Sequence, residues 1–259
     1  MAGLSCTTVE ELVLDAIRRY VRSANCDCIA LSGGIDTSVV ALAARLEGLR
    51  LTGITAFYAE GLPRDLPYAL HVAAALGIKL HTVPVDNRYI AGRAGLVAKC
   101  TGRRDYIELR NDVVFLRALE EAERLGCRCI LLGDGGDEVF AGYRFMLSLG
   151  SEELRETILR MATRGRYPGL ELADCIGMEA HAPLLCDEVL EYVLNAPTEC
   201  LRTSIIEGKE VLRGILSRYG FVLVAGRPKT PAEEGAGTDA LDRRRLEEIT
   251  GMELPDCHC

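Results

Sequence analysis

"CIALSGGIDTSVVALAARLEG", residues 28–48, decides the fold. A short apolar run closed by two glycines has the pattern of a strand buried in a parallel sheet, and the stretch after it is helical with a glycine stop. The unit recurs along the chain: "LRLTGITAF" reads as strand, "DLPYALHVAAALG" as helix, "IKLHTVPV" as strand, "ELRNDVVFLRALEEAERLG" as helix and "CRCILLGDGG" as strand, with a loop-rich passage from Ala91 to Arg104. Such alternation implies right-handed crossovers and a parallel sheet covered on both faces. The expectation is an α/β, doubly wound domain over residues 1–150, followed by a mostly helical C-terminal part over 151–259.

Upstream, Thr8 and Glu11 have the spacing of a capping box, with Thr8 as N-cap, and open a helical pattern through Leu12, Ala16, Ile17 and Tyr20. Beyond Glu138 the strand signals fade. Helices are expected over Glu152–Thr163, Asp187–Asn195, Lys209–Tyr219 and Thr238–Thr250.

The chain has 259 residues, a net charge of −8 and a pI near 5.2. Length suffices for a sizeable core. No apolar stretch reaches the eighteen residues of a membrane span, and the N-terminus lacks the order of a signal peptide, so a cytoplasmic location is expected. The acidic balance argues against a nucleic-acid partner and for a small molecule. Lysines are few: Lys79, Lys99, Lys209 and Lys229.

In an open parallel sheet, ligands sit beyond the carboxyl ends of the strands, where helix N-termini offer unpaired N–H groups. Ser32–Ser38 lies at such a place. Gly33 and Gly34 allow close backbone approach, Ser32, Thr37 and Ser38 supply hydroxyls, and Asp36 supplies the hard oxygen that magnesium prefers. A P-loop is excluded by spacing and by the missing lysine. A second loop of the same build, "LLGDGGDEVFAGY" at residues 131–143, brings Asp134, Asp137 and Glu138. Three carboxylates among glycines repel one another unless cations offset them, which favours a metal-bridged nucleotide site over two unrelated turns.

These two loops resemble a known family. S-G-G-I/L-D-S/T-S is the signature of the PP-loop ATP pyrophosphatases (adenine nucleotide alpha-hydrolase-like fold), and "GDGGDEVFAGY" is similar to the G-E/D-G-x-D-E-x-F-x-G-Y loop of the asparagine synthetase synthetase domain. "GMEAHAPLLCDEVLEYVLNAP", "GKEVLR" and "GRPKTPAEEGAG" are similar to further elements of that family, so the resemblance spans roughly residues 27–237. It implies a ligase that uses ATP and Mg2+: a substrate carboxylate attacks the α-phosphate, pyrophosphate leaves, and ammonia or an amine displaces AMP. By the same resemblance Ser32, Gly33, Gly34, Asp36, Thr37 and Ser38 would cradle pyrophosphate, with Leu31, Ala56 and Gly133 beside the nucleotide. Asp36 and Asp137 would hold magnesium. Lys229, Lys209 and Arg110 would be the matching cations, and Asp134 a proton acceptor near the reacting centre. For Lys209 and Arg110 the competing reading is an ordinary surface ion pair.

Two departures bear on the substrates. Family members that use glutamine carry an N-terminal cysteine on a separate glutaminase domain, whereas 31 residues precede Ser32 here. Nitrogen is therefore expected as free ammonia, another amine, or the product of a separate glutaminase subunit; a homo-oligomer is compatible with this. In the third window His181 replaces the family arginine, and Leu184 and Cys186 replace Phe and Asp, which bears on the carboxylate, aspartate-like by resemblance.

Eleven cysteines include three C-x-C pairs, Cys26/Cys28, Cys127/Cys129 and Cys257/Cys259. Residues i and i+2 of a strand face one side, so if the two strands are neighbours, as the resemblance implies, the first two pairs gather four thiols beneath the loops. Buried cysteines acting as small hydrophobes are the leading expectation, ahead of a disulfide, zinc or iron–sulfur site; a thermophilic cytoplasm is the known exception to thiol reduction. A tRNA-thiolating PP-loop enzyme and a nucleotide-binding subunit without chemistry are the competing functions.

Overall fold

A computed structural model describes residues 4–202 and 208–255. The tail cysteines Cys257 and Cys259 lie outside the described residues. Five strands form one sheet: β1 (Cys28–Ala30), β2 (Thr52–Tyr58), β3 (Lys79–Val85), β4 (Cys129–Leu131) and β5 (Glu179–His181), in the order β3-β2-β1-β4-β5. Every pairing is parallel. The direction of winding reverses between β1 and β4, and that is where an open α/β sheet leaves a crevice.

The helices are α1 (Cys6–Ala24), α2 (Ile35–Leu46), α3 (Leu66–Leu76), α4 (Asn87–Thr101), α5 (Tyr106–Arg124), α6 (Gly136–Val139), α7 (Ser151–Arg164), α8 (Pro168–Ile176), α9 (Asp187–Asn195), α10 (Thr198–Leu201), α11 (Glu210–Arg218), α12 (Val222–Ala225), α13 (Ala232–Ala236) and α14 (Arg243–Thr250). One core lies between the sheet and α1, α2, α3, α9 and α11, built on Ile29, Leu31, Val39, Val72 and Leu212. The opposite core joins the sheet to α4, α5, α8 and α14 through Ile54, Ile90, Leu116, Leu172 and Leu246. Both faces are covered, as a parallel sheet requires. None of the described helices is long and apolar enough to cross a membrane.

The structure corrects several expectations. The stretch expected as loop from Ala91 to Arg104 is mostly α4, whose buried Ile90, Ala94, Val97 and Thr101 recur at helical spacing. The helical C-terminal half contributes β5, an edge strand with no fully buried residue. Helix α1 is capped by Ser5, which accepts from the Thr8 amide at 3.1 Å, so Thr8 lies inside the helix.

The cysteines differ most. Cys26 is bonded to Cys129 and Cys28 to Cys127, and Cys6–Cys200 and Cys100–Cys175 are also disulfides. Among the described residues Cys186 is free. The four thiols do not gather on one side: Cys26 and Cys129 sit in the first core, Cys28 and Cys127 against the second. The strands begin at Cys28 and Cys129, while Asp27 and Arg128 are bends, so the two-residue period does not extend back to Cys26 and Cys127. Asp27 accepts from the Arg128 amide at 2.9 Å between the two bonds.

Candidate active site

Gly33 turns the chain after β1 with φ of 82°, and a Cβ there would stand 2.2 Å from the Ala69 amide nitrogen of α3, so only glycine fits. Its carbonyl accepts from Arg227 Nη1 at 3.2 Å. Gly34 is the N-cap of α2 and provides no side-chain cap, leaving the first turn of α2 with amides available to an anion. Ser32 Oγ accepts from the Gly34 amide at 3.2 Å and lies 3.1 Å from Thr37 Oγ1. Ser38 is buried and donates to the Gly34 carbonyl at 2.6 Å, which makes it a brace of the loop. Leu31 is fully buried in the core.

The loop after β4 interlocks with this one through glycines. A Cβ on Gly133 would meet Thr37 Cγ2 at 2.7 Å, and one on Gly136 would stand 2.1 Å from the Asp36 carboxyl carbon. Those contacts bring Asp36 and Asp137 to one point. Lys209 Nζ bonds Asp36 Oδ2 at 2.6 Å and Asp137 Oδ1 at 3.0 Å, and Lys229 Nζ bonds the same Asp137 oxygen at 2.8 Å and the Gly142 carbonyl at 2.9 Å. Burial acts to raise the Asp137 carboxyl, but Lys209 and then Lys229 outweigh it and hold it below the usual carboxylate range. For Lys209, Asp36 and Asp137 overcome burial and hold the ammonium above its usual range. Lys209 is thus a buried cation rather than a surface ion pair.

Around this centre opens a cavity of about 730 Å³. Its lining includes Ser32, Gly34, Asp36, Thr37, Ala56, Gly133, Asp134, Asp137, Lys209 and Lys229. Ala30, Ile54, Ala56 and Phe115 give it apolar wall, and Asp134, Glu138, Tyr143, Arg103 and Tyr167 polar wall. Asp134 accepts from the Leu170 amide at 3.3 Å, and burial pushes its carboxyl up to about 7. Tyr143 donates to Glu138, whose carboxyl burial also raises.

Arg110 does not line the cavity. It donates to the Leu241 carbonyl at 3.1 Å and to Glu233 at 3.3 Å, tying α5 to the C-terminal segment. Arg227, which sequence reading did not single out, is 6% exposed, donates to Asp65 and to Thr230 Oγ1, and lies 4.0 Å over the Tyr68 ring. It fastens the Gly33 turn to α3 and to the Lys229 segment; its position two residues before Lys229 was the available signal. His181 faces Tyr20 at 3.3 Å and Glu179 at 2.9 Å, away from the cavity lining.

The donor set suits magnesium. Asp36 and Asp137 offer hard oxygens from two loops, and Asp36 Oδ1 is buried without a hydrogen-bond partner. Cys26, Cys129 and His181, and Asp27, Cys28 and Cys127, cluster closely enough for a metal, but their sulfurs are bonded to each other.

The chain is similar to several known proteins. A chain described as a glutamine-hydrolysing asparagine synthetase of Methanocaldococcus jannaschii is 27% identical over 90% of this chain and 50% of its own length. Asparagine synthetase B of Escherichia coli is 24% identical over 93% and 47%. The chain therefore spans about half the length of these relatives. A 7-cyano-7-deazaguanine synthase of Rhizorhabdus wittichii is 30% identical over 60% of this chain and 68% of its own. Among solved structures, NMN synthetase from Francisella tularensis has a TM-score of 0.39 at 15% identity, covering 96% of this chain and 94% of that one. The asparagine synthase family model matches residues 8–174, which takes in both interlocked loops and more than half of the sequence. The chain belongs to the asparagine synthase family.

Proposed function

We propose that the protein is an ATP-dependent ligase that joins a carboxylate to ammonia or another amine through an acyl-adenylate, releasing AMP and pyrophosphate. The observation that carries this is the convergence of Asp36 and Asp137, from loops after two adjacent strands, on the ammonium of Lys209. A polyphosphate in the crevice lies against the first turn of α2, and Lys229 and Lys209 meet the charge that grows on the leaving oxygens. Asp36 and Asp137 would hold magnesium, which when bound neutralises phosphate charge. The apolar part of the cavity wall suits an adenine ring, and Asp134, with a carboxyl near neutrality, suits removal of a proton from the attacking nitrogen. An aspartate-like carboxylate is the leading acid, and a separate glutaminase subunit is one source of the nitrogen.

The test is direct. The purified protein is incubated with ATP, magnesium, ammonium and a panel of carboxylates led by aspartate, and nucleotides are separated by chromatography. Carboxylate-dependent AMP and pyrophosphate are expected. ADP in their place sinks the mechanism.

A further inference from the structure

Lys209 presents a puzzle of donors. It is 8% exposed, and a buried ammonium is costly unless it is well paired. Its nitrogen satisfies the charge of Asp36 and Asp137, yet the other Asp36 oxygen, Oδ1, stays buried with no hydrogen-bond partner. The lysine therefore matches this site in charge and falls short of it in coordination. A divalent ion, with six or more oxygen positions to fill, is the ligand that would take up the orphaned oxygen.

We propose that Lys209 is a tethered stand-in for magnesium: when no metal is bound its ammonium sits between Asp36 and Asp137, and the metal carried in with the nucleotide displaces it. This rests on the reading of the crevice as a magnesium–nucleotide site. The backbone around Lys209 stays docked while the side chain moves. The Lys209 amide donates to the Phe140 carbonyl at 2.9 Å, and a Cβ on Gly208 would stand 2.1 Å from the Ala141 carbonyl oxygen, so this segment is seated on the second loop. Lys209 itself has φ of 63°, a left-handed conformation that aims the side chain back from the start of α11 into the crevice. Lys229 remains behind on Asp137 and the Gly142 carbonyl, 4.6 Å over the Tyr143 ring. Once displaced, the Lys209 ammonium is free to meet phosphate oxygens within reach of its flexible stem. The lysine thus keeps two carboxylates from repelling each other and keeps free metal out until the nucleotide arrives.

The test follows Mn2+ by electron paramagnetic resonance with the whole chain and no nucleotide. Wild-type protein is expected to bind Mn2+ weakly until ATP is added. Lys209→Met is expected to bind Mn2+ without nucleotide more than about tenfold tighter, because a unit charge close to the carboxylates has gone, and Asp137→Asn placed in that variant is expected to abolish the gain. Should Lys209→Met fold poorly, Lys209→Gln carries the same titration and the same expectation, with a Mn2+-dependent rise in melting temperature as second readout. Equal Mn2+ affinity in wild type and both variants overturns the proposal, as does tight Asp137-dependent binding to wild type without nucleotide. Wild-type protein that binds ATP but takes up no Mn2+ with it instead removes the magnesium–nucleotide reading, and the proposal falls with it.

Discussion

Strands β1 and β4 are joined at both ends, by different means. Beneath their N-terminal ends two disulfides, Cys26–Cys129 and Cys28–Cys127, make the junction covalent. Beyond their C-terminal ends the junction consists of glycines packed on Asp36 and Thr37, and of two ammonium groups shared between two carboxylates. The end that need not change when a ligand arrives is made of bonds. The opposite end includes the Lys209 ion pairs, the contact proposed above to give way to a metal.

The sharpest way to break this contrast is at the ionic end. Asp134→Asn is expected to lower AMP formation by about 10²–10⁴-fold, the share of a general base. With Asp134 in place, rate should climb with pH through about 7, because burial delays loss of its proton to that region. A pH–rate profile of both proteins checks this, and an unchanged acid limb in the variant removes Asp134 from the role.

At the covalent end the expectation is reversed: stability changes and chemistry does not. Each bond alone closes a loop of about a hundred residues, for which chain entropy gives about 4.7 kcal/mol. Once one is closed, however, the second adds only a short ring. Removing the Cys26–Cys129 pair or the Cys28–Cys127 pair should therefore cost far less than half of what removing both does. Denaturant melts of the two single-pair variants and the combined variant decide it, and equal, additive losses contradict the shared-loop account.

A smaller effect belongs to Asp112, buried on α5 with neither oxygen hydrogen-bonded and its carboxyl pushed up to about 7 by burial. A raised folded value means the folded chain keeps its proton longer, so this group loses stability as pH climbs from about 4 to 7. Asp112→Asn should stabilise the protein at pH 8, on the order of 2 kcal/mol, with the gap closing near pH 4. Smallest should be Arg110→Met, which removes bonds to Leu241 and Glu233 for about 1–2 kcal/mol and leaves AMP formation unchanged.

What sequence revealed follows the same division. β1, β2 and β4 were legible because burial on both faces writes an apolar run, β3 despite having only Val83 and Val85 buried, and the two glycine loops because their turns need glycine where a Cβ would collide. Asp36, Asp134, Asp137, Lys209 and Lys229 line one cavity. β5 was hidden because "EAH" at an edge needs little apolar surface. α4 was hidden because Gly92, Gly95 and its polar residues mask the Ile90, Ala94 and Val97 stripe. Arg227 acts through carbonyl, carboxylate and ring contacts spread over distant segments, and its place two residues before Lys229 was the one local signal. The disulfides were misread because strand alternation was extended two residues before the strands begin. Cys6–Cys200 and Cys100–Cys175 depend on tertiary proximity alone.

The two bonds between β1 and β4 lie on opposite faces of the sheet. A single bond on one face would act as an axle about which the strands could rock. A pair straddling the sheet takes away that rotation as well as sliding. With the floor of the crevice locked in this way, a nucleotide has to be admitted by side chains that move over a fixed backbone, as the Lys209 ammonium does in the proposed displacement. Measured by hydrogen exchange, the amides of β1 and β4 should be slow whether or not ATP is present.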